Sequence, residues 1–237
     1  TYCMKSMYEH LVWRKSVWMS CVEIVYGMLC MEIFYGNLNV PIWKCIMSDP
    51  WENLLETAKT VHLGNSMLQD FCPFPKDIRR QEFQPFHIPA SDLMQNETGL
   101  YTNDYTELRD AFISTSPYAH WRQTYKGTTV GDRFLDEFGC YGLIGPESPF
   151  QSEKIRAWVV YMPRNFYYPW HQHPAEEMYF CIAGEAIFRR ENSPDIRLSP
   201  GGTIEHLSNQ SHSMERTEPI PSTPSVVLRT TPRPMKR

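Results

Sequence analysis

Residues 171 to 184 read His171-Gln-His173-Pro-Ala-Glu-Glu177-Met-Tyr179-Phe-Cys-Ile-Ala-Gly184. Two histidines, a carboxylate and a phenol within nine residues narrow what this segment can become. In an extended strand, residues two apart share a face, so His171 and His173 project together. Pro174 removes a backbone donor and predicts a bend. Glu177 and Tyr179 then share a face of the next strand. Ala183-Gly184-Glu185 predicts a hairpin turn, from which Ala-Ile-Phe-Arg-Arg runs back. Nitrogen and oxygen donors packed this closely suit a first-row transition metal. A fourth group must come from elsewhere in the chain. Downstream, Pro200-Gly201-Gly202 marks a tight turn. His212, on the strand beyond it, is the expected fourth ligand, with His206 as its rival. One histidine alone is more often a surface or core group than a ligand. The combination of spacing, carboxylate and Pro-Gly-Gly…His favours a metal site.

The rest of the chain must supply a frame for these residues. Helical periods run through residues 5 to 70. Trp51 to Leu63 is one example, opened by Ser48-Asp-Pro at an N-cap. Residues 71 to 105 read as irregular, and Tyr105 to Tyr118 as a helix ending at Ser116-Pro117. From about residue 138 the pattern changes to short β-branched and aromatic runs split by Gly and Pro. Ile155–Met162, Glu177–Ile182, Glu185–Arg190, Thr203–His206 and Val226–Arg229 are the expected strands. There are no repeats, and the Pro-Ser-Thr stretch at 219 to 224 is the one low-complexity tract. Helices followed by strands indicate an α+β chain: a mostly helical region over 1–137, then a small jelly-roll barrel over 138–237.

Composition limits the partners. The 237 residues are 42% hydrophobic, enough to fill a core. A net charge of −4 without a basic stripe argues against nucleic acid. Lys and Arg cluster only between Arg229 and Arg237, read as a solvated tail. Val17 to Tyr35 is apolar, but Glu23 and Glu32 interrupt it. A charge in mid-span costs roughly 2.5–3.5 kcal/mol, so a buried or paired helix is expected rather than a membrane span. No secretory signal pattern is present. Seven scattered cysteines without a Cys-x-x-Cys pair read as thiols of a reducing compartment, which makes a cytoplasmic location the expectation.

The residues named so far carry a family resemblance. Cupin motif one runs glycine, five residues, His-x-His, three or four residues, glutamate, six residues, glycine. His171, His173, Glu177 and Gly184 fit it, and Asn165 stands in place of the leading glycine. Asn tolerates a left-handed backbone, so this departure is mild. Residues 200 to 212 resemble the second motif, whose histidine follows its proline by twelve residues, where His212 stands. The proline expected midway is replaced by Leu207 or Ser208. Within the cupins, His-x-His-Pro-Ala-Glu-Glu-x-Tyr is similar to the dimethylsulfoniopropionate lyases. Trp121-Arg-Gln-Thr-Tyr125, Phe138-Gly-Cys-Tyr-Gly-Leu-Ile-Gly145-Pro146 and Phe166-Tyr-Tyr168-Pro-Trp-His resemble further segments of that family. The match covers roughly residues 107 to 220.

This resemblance implies a cupin double-stranded β-helix, a jelly-roll barrel preceded by the N-terminal helical region. It implies one divalent transition metal ion, with zinc, iron, manganese, nickel and cobalt all admissible. His173, Glu177 and His212 are the implied ligands. Tyr179 can join them, and His171 either ligates or stands behind. The implied reaction cleaves dimethylsulfoniopropionate to acrylate and dimethyl sulfide by β-elimination, with Tyr168 as base and Tyr179 as second choice. A phenol of pKa about 10 must drop by roughly two to three units for this. The sulfonium suits an aromatic wall, for which Trp170, Tyr167, Trp158 and Tyr161 are the expected substrate-binding residues. The last strand, Val226-Val-Leu-Arg-Thr-Thr, lacks the aromatic residues that the family often carries there. The implied partner is a small-molecule substrate, with no nucleic acid and no membrane. The N-terminal helices are left as lid, homodimer contact or packing. The alternatives are a cupin dioxygenase or isomerase, which has no need of Tyr168 and Tyr179, or a non-catalytic small-molecule-binding cupin.

Overall fold

The computed structural model describes residues 49–123, 132–215 and 225–232. The helical periods read before residue 49, the Val17–Tyr35 segment, the Pro-Ser-Thr stretch and the tail beyond 232 lie outside them. Residues Pro50–Arg237 form one compact unit.

Helix α1 (Pro50–Leu63) begins with proline in its first turn and buries Trp51, Leu54, Leu55, Ala58 and His62, an i, i+3, i+4, i+7 stripe. Asn65 caps α2 (Ser66–Phe71) by accepting from the Leu68 N–H. The stretch expected to be irregular contains the short strand β1 (Arg79–Arg80) and helix α3 (Pro89–Asn96), whose proline opens the first turn. Helix α4 (Thr106–Thr115) tightens into a 3₁₀ turn over Ser116–Tyr118, where Pro117 stops the α-helix. β2 (Trp121–Arg122) and α5 (Asp132–Glu137) lead into the strands. These are β3 (Gly139–Ile144), β4 (Phe150–Gln151), β5 (Ile155–Met162), β6 (Tyr167–His171), β7 (Glu177–Ala183), β8 (Ala186–Arg190), β9 (Ile196–Leu198), β10 (Thr203–His206), β11 (His212–Glu215) and β12 (Ser225–Pro232). Among the described residues no helix is long and apolar enough to cross a membrane.

One sheet has eight strands, with the path β1-β4-β3-β5-β12-β7-β10 and β2 added against β3; the other runs β6-β11-β8-β9. The hairpin expected at Ala183-Gly184-Glu185 is therefore absent. The chain does turn at Gly184, whose φ is 71°, but β7 and β8 belong to different sheets. A jelly roll needs such crossings, and adjacent strands that alternate between sheets look like hairpins in sequence.

Two cores result. The first lies between the large sheet and the helices and takes Met178, Phe180 and Ile182 of β7 with Val159 and Tyr161 of β5. The second fills the barrel between the sheets and takes the opposite parity: Tyr179 and Cys181, Trp158 and Val160. Both faces of β7 are buried, so it reads as one apolar run rather than an alternation. Tyr141 on β3 fastens the layers, donating its hydroxyl to the Phe112 carbonyl of α4 at 2.7 Å.

Asn165 adopts φ 52°, the left-handed conformation expected where the cupin motif has glycine. Replacing Asn165 by Ala should cost about 1 kcal/mol in chemical denaturation, and by Gly little or nothing. An alanine variant as stable as the parent would contradict this.

Candidate active site

The site forms where β6 meets β11. His212 pairs with His171 and Met214 with Tyr168, so Pro169 and Trp170 of β6 together oppose the single residue Ser213 of β11. This bulge has a consequence for side-chain direction. Residues three apart on a regular strand face opposite ways, but the extra residue returns both Tyr168 and His171 to the barrel interior. Their ring centroids are 4.2 Å apart. β6 is the edge of its sheet, where Pro169 is tolerated. The chain leaves β6 before His173, and the loop after β10 ties down the bend at Pro174. The Asn209 N–H donates to the His173 carbonyl and the Ser208 hydroxyl to the Pro174 carbonyl, each at 2.8 Å.

Three histidines share one device. Nδ1 of His171 bonds the Pro169 carbonyl at 2.9 Å, Nδ1 of His173 the Ala175 carbonyl at 3.0 Å, and Nδ1 of His212 the Gln210 carbonyl at 2.8 Å. A carbonyl only accepts, so in the neutral ring the proton sits on Nδ1 and Nε2 keeps its lone pair. The ligand atoms of these three residues lie within 4.8 Å of one another, and those of Glu177, His206 and His212 do the same. Nε2 of His173, Nε2 of His212 and Oε2 of Glu177 are buried and have no hydrogen-bond partner among the described residues. Oriented imidazoles with an outer-shell acceptor, beside a carboxylate oxygen, make the cluster compatible with a metal site.

His206 differs. It is buried on β10 and stacks on His212 at 4.0 Å and 19°, but among the described residues neither ring nitrogen has a hydrogen-bond partner to fix its tautomer. Burial, followed by the nearby His212, holds it neutral with a pKa of about 3. It is within reach as a donor yet is not held as the other three are.

The electrostatics centre on Glu177. Burial opposes its charge, but Arg229 and then His173 outweigh that penalty and bring its pKa to about 2. Arg229 Nη1 lies 3.2 Å from Oε1 of Glu177, and His173 Nε2 lies 3.3 Å from Oε2 without the alignment of a hydrogen bond. The contact with Glu177 raises the His173 pKa against desolvation. Burial lowers His171 to about 4. Burial, then the Glu177 charge, keeps the Tyr179 hydroxyl well above the usual phenol range.

The sequence reads Arg229 both as the end of a strand and as the start of a solvated tail, and the strand reading holds. Arg229 does not open a solvated tail: it lies within β12, opposite Trp158 and Tyr179, with its guanidinium 4.5 Å over the Trp158 ring and its side chain 16% exposed. The signal that separates it from the tail is the apolar run Val226-Val-Leu before it.

The expected aromatic wall is dispersed. Trp158 is inside the barrel, but Arg229 covers a face of its ring. Tyr161 has the opposite parity, belongs to the helix-side core and bonds Glu97 at 3.4 Å, away from the histidines. Tyr167 and Trp170 are about half exposed on β6. Instead, Phe134 and Phe138 stack on Tyr168 at 5.5 and 4.9 Å. Phe134 is in α5, a segment that sequence periodicity did not pick out.

The tautomers are directly observable. In metal-free protein at pH 8, long-range proton–nitrogen correlation should show His171 and His212 protonated at Nδ1. Nε2-protonated rings would contradict the geometry.

Residues 80–223 match the family model for dimethylsulfoniopropionate lyases. The dimethylsulfoniopropionate lyase DddQ of Ruegeria pomeroyi is 44% identical over 167 residues, 70% of this chain and 83% of that protein. The crystal structure of DddQ from the same organism superposes with a TM-score of 0.75 at 39% identity, covering 79% of this chain and 93% of that one. A structure described with the lyases RdDddP and RnDddQII gives 0.73 at 31% identity, over 77% and 92%. The chain is a cupin and belongs to the dimethylsulfoniopropionate lyase family.

Proposed function

We propose that this protein is a metal-dependent carbon–sulfur lyase that cleaves dimethylsulfoniopropionate to acrylate and dimethyl sulfide. The observation that carries the reading is the contact between Tyr168 and the histidine cluster, within a chain of this family. His173, Glu177 and His212 would hold the metal, with His171 completing the set of oriented nitrogens. The bound divalent ion would offset charge on the substrate carboxylate and lower the pKa of a neighbouring phenol.

The protein's own groups then have separate tasks. Tyr168, as phenolate, accepts the proton from the carbon next to the carboxylate. The C–H electron pair becomes the new C=C bond. The C–S bond breaks, and sulfur leaves with its pair as neutral dimethyl sulfide. Tyr179 suits this role less, because burial and Glu177 keep it protonated; it remains a candidate ligand. Phe134, Phe138 and Tyr168 form an apolar aromatic packing that reaches His171 through Tyr168, a surrounding suited to a sulfonium that carries no hydrogen-bond donor. The Tyr168 contact favours a lyase over a cupin dioxygenase, isomerase or binding protein.

Two outcomes test this reading. Tyr168→Phe should lower dimethyl sulfide release by about 10²–10⁴-fold while metal per chain stays constant. Loss of metal in that variant would contradict the base assignment. Metal affinity should also depend on pH. His173 must be deprotonated to ligate, and its pKa lies above 6.5, so affinity should start to fall before pH 6.5 on acidification. Glu177, at about 2, does not compete in that range. Chelator competition at pH 8 and pH 6 measures the difference, and equal affinities would count against His173 as ligand.

A further inference from the structure

We propose that Arg229 is the positioning residue of this centre: it engages one oxygen of Glu177 so that the other faces the histidine nitrogens. The inference rests on the metal-dependent reading above.

The two carboxylate oxygens have different surroundings. Oε1 lies 3.2 Å from Arg229 Nη1. Oε2 lies 3.3 Å from His173 Nε2, is buried, and has no hydrogen-bond partner among the described residues. A carboxylate without a fixed partner could rotate or turn both oxygens toward one cation. Arg229 prevents this because it is itself fixed. Its backbone lies in the middle of β12, paired to β5 on one side and β7 on the other. Its guanidinium is stacked over Trp158 at 4.5 Å. A guanidinium held flat over an aromatic ring, on a strand paired at both edges, keeps one nitrogen against one carboxylate oxygen, which a flexible ammonium would not do as well. The aromatic shortage of the last strand thus has a counterpart. The inward position at 229 carries a cation that serves a ligand across the sheet, and Trp158 serves that cation.

Cobalt(II) supplies a readout that does not depend on turnover. Its affinity for the metal-free chain is measured by competition with a chromophoric chelator, and the visible spectrum of the cobalt-loaded chain reports ligand geometry. Arg229→Gln should weaken cobalt binding by about 10–100-fold and shift the visible bands. Glu177→Gln should also weaken it. The double variant should bind no more weakly than Glu177→Gln alone, because Arg229 acts through that carboxylate. Where Arg229→Gln fails to fold, Arg229→Lys, which keeps the charge but not the planar guanidinium, takes its place, and parental cobalt affinity and spectrum in that variant overturn the proposal as well. Arg229→Gln with parental affinity and spectrum overturns the proposal, as does a double variant whose loss equals the two single losses combined. A parent chain that binds no cobalt overturns the metal-dependent reading together with this one. Intact parental binding with an unaltered variant overturns this one alone.

Discussion

Burial of the central strands on both faces is the constraint on which this molecule depends. β5, β12 and β7 lie side by side, with helices on one surface and the barrel interior on the other. Side chains of one parity hold the helical layer, and those of the other parity line the site. Met178 and Phe180 are core residues of the first kind, whereas Glu177 and Tyr179, their immediate neighbours, belong to the second. A one-residue slip would exchange the two sets and put a carboxylate against the helices. The register of the site is thereby set by the hydrophobic demand of the whole sheet.

Polar groups inside such a barrel need compensation. At 3.2 Å and an effective dielectric near 20, the Arg229–Glu177 attraction is about 5 kcal/mol gross. The desolvation of two ions costs several kcal/mol each. The pair is therefore near break-even for stability, and its value lies in fixing where the carboxylate points. The histidines follow the same logic by another route. Backbone carbonyls two residues away orient three of the rings, so each ring is aimed by its own segment. Among the described residues His206 has no such bond and packs instead against the rings of His212, Tyr179 and Phe188.

Much of the fold was legible. The strands at 155–162 and 203–206 match the bounds read from sequence, because each is a β-branched or aromatic run ended by a polar or turn residue. α1 was marked by its proline start and its apolar stripe. Helix α3 was missed since its eight residues lie in a stretch rich in Pro, Phe and polar residues, which reads as irregular. The sheet crossing at Gly184 was hidden because a turn residue states that the chain turns, not which strand it joins.

For the site, the sequence by itself determined the candidate donor types, their spacing, the bend at Pro174 and the left-handed backbone at Asn165. These are local properties, fixed by donor chemistry and by sterics within a few residues. Only the tertiary structure decided that Tyr168 and His171 share a face, since that depends on a bulge against β11. It also decided that Tyr161 faces away from the histidines and that Arg229, 52 residues after Glu177 (229 − 177), meets its carboxylate. Each of these follows from strand pairing, and pairing is set by the burial of the whole sheet rather than by neighbours in the chain.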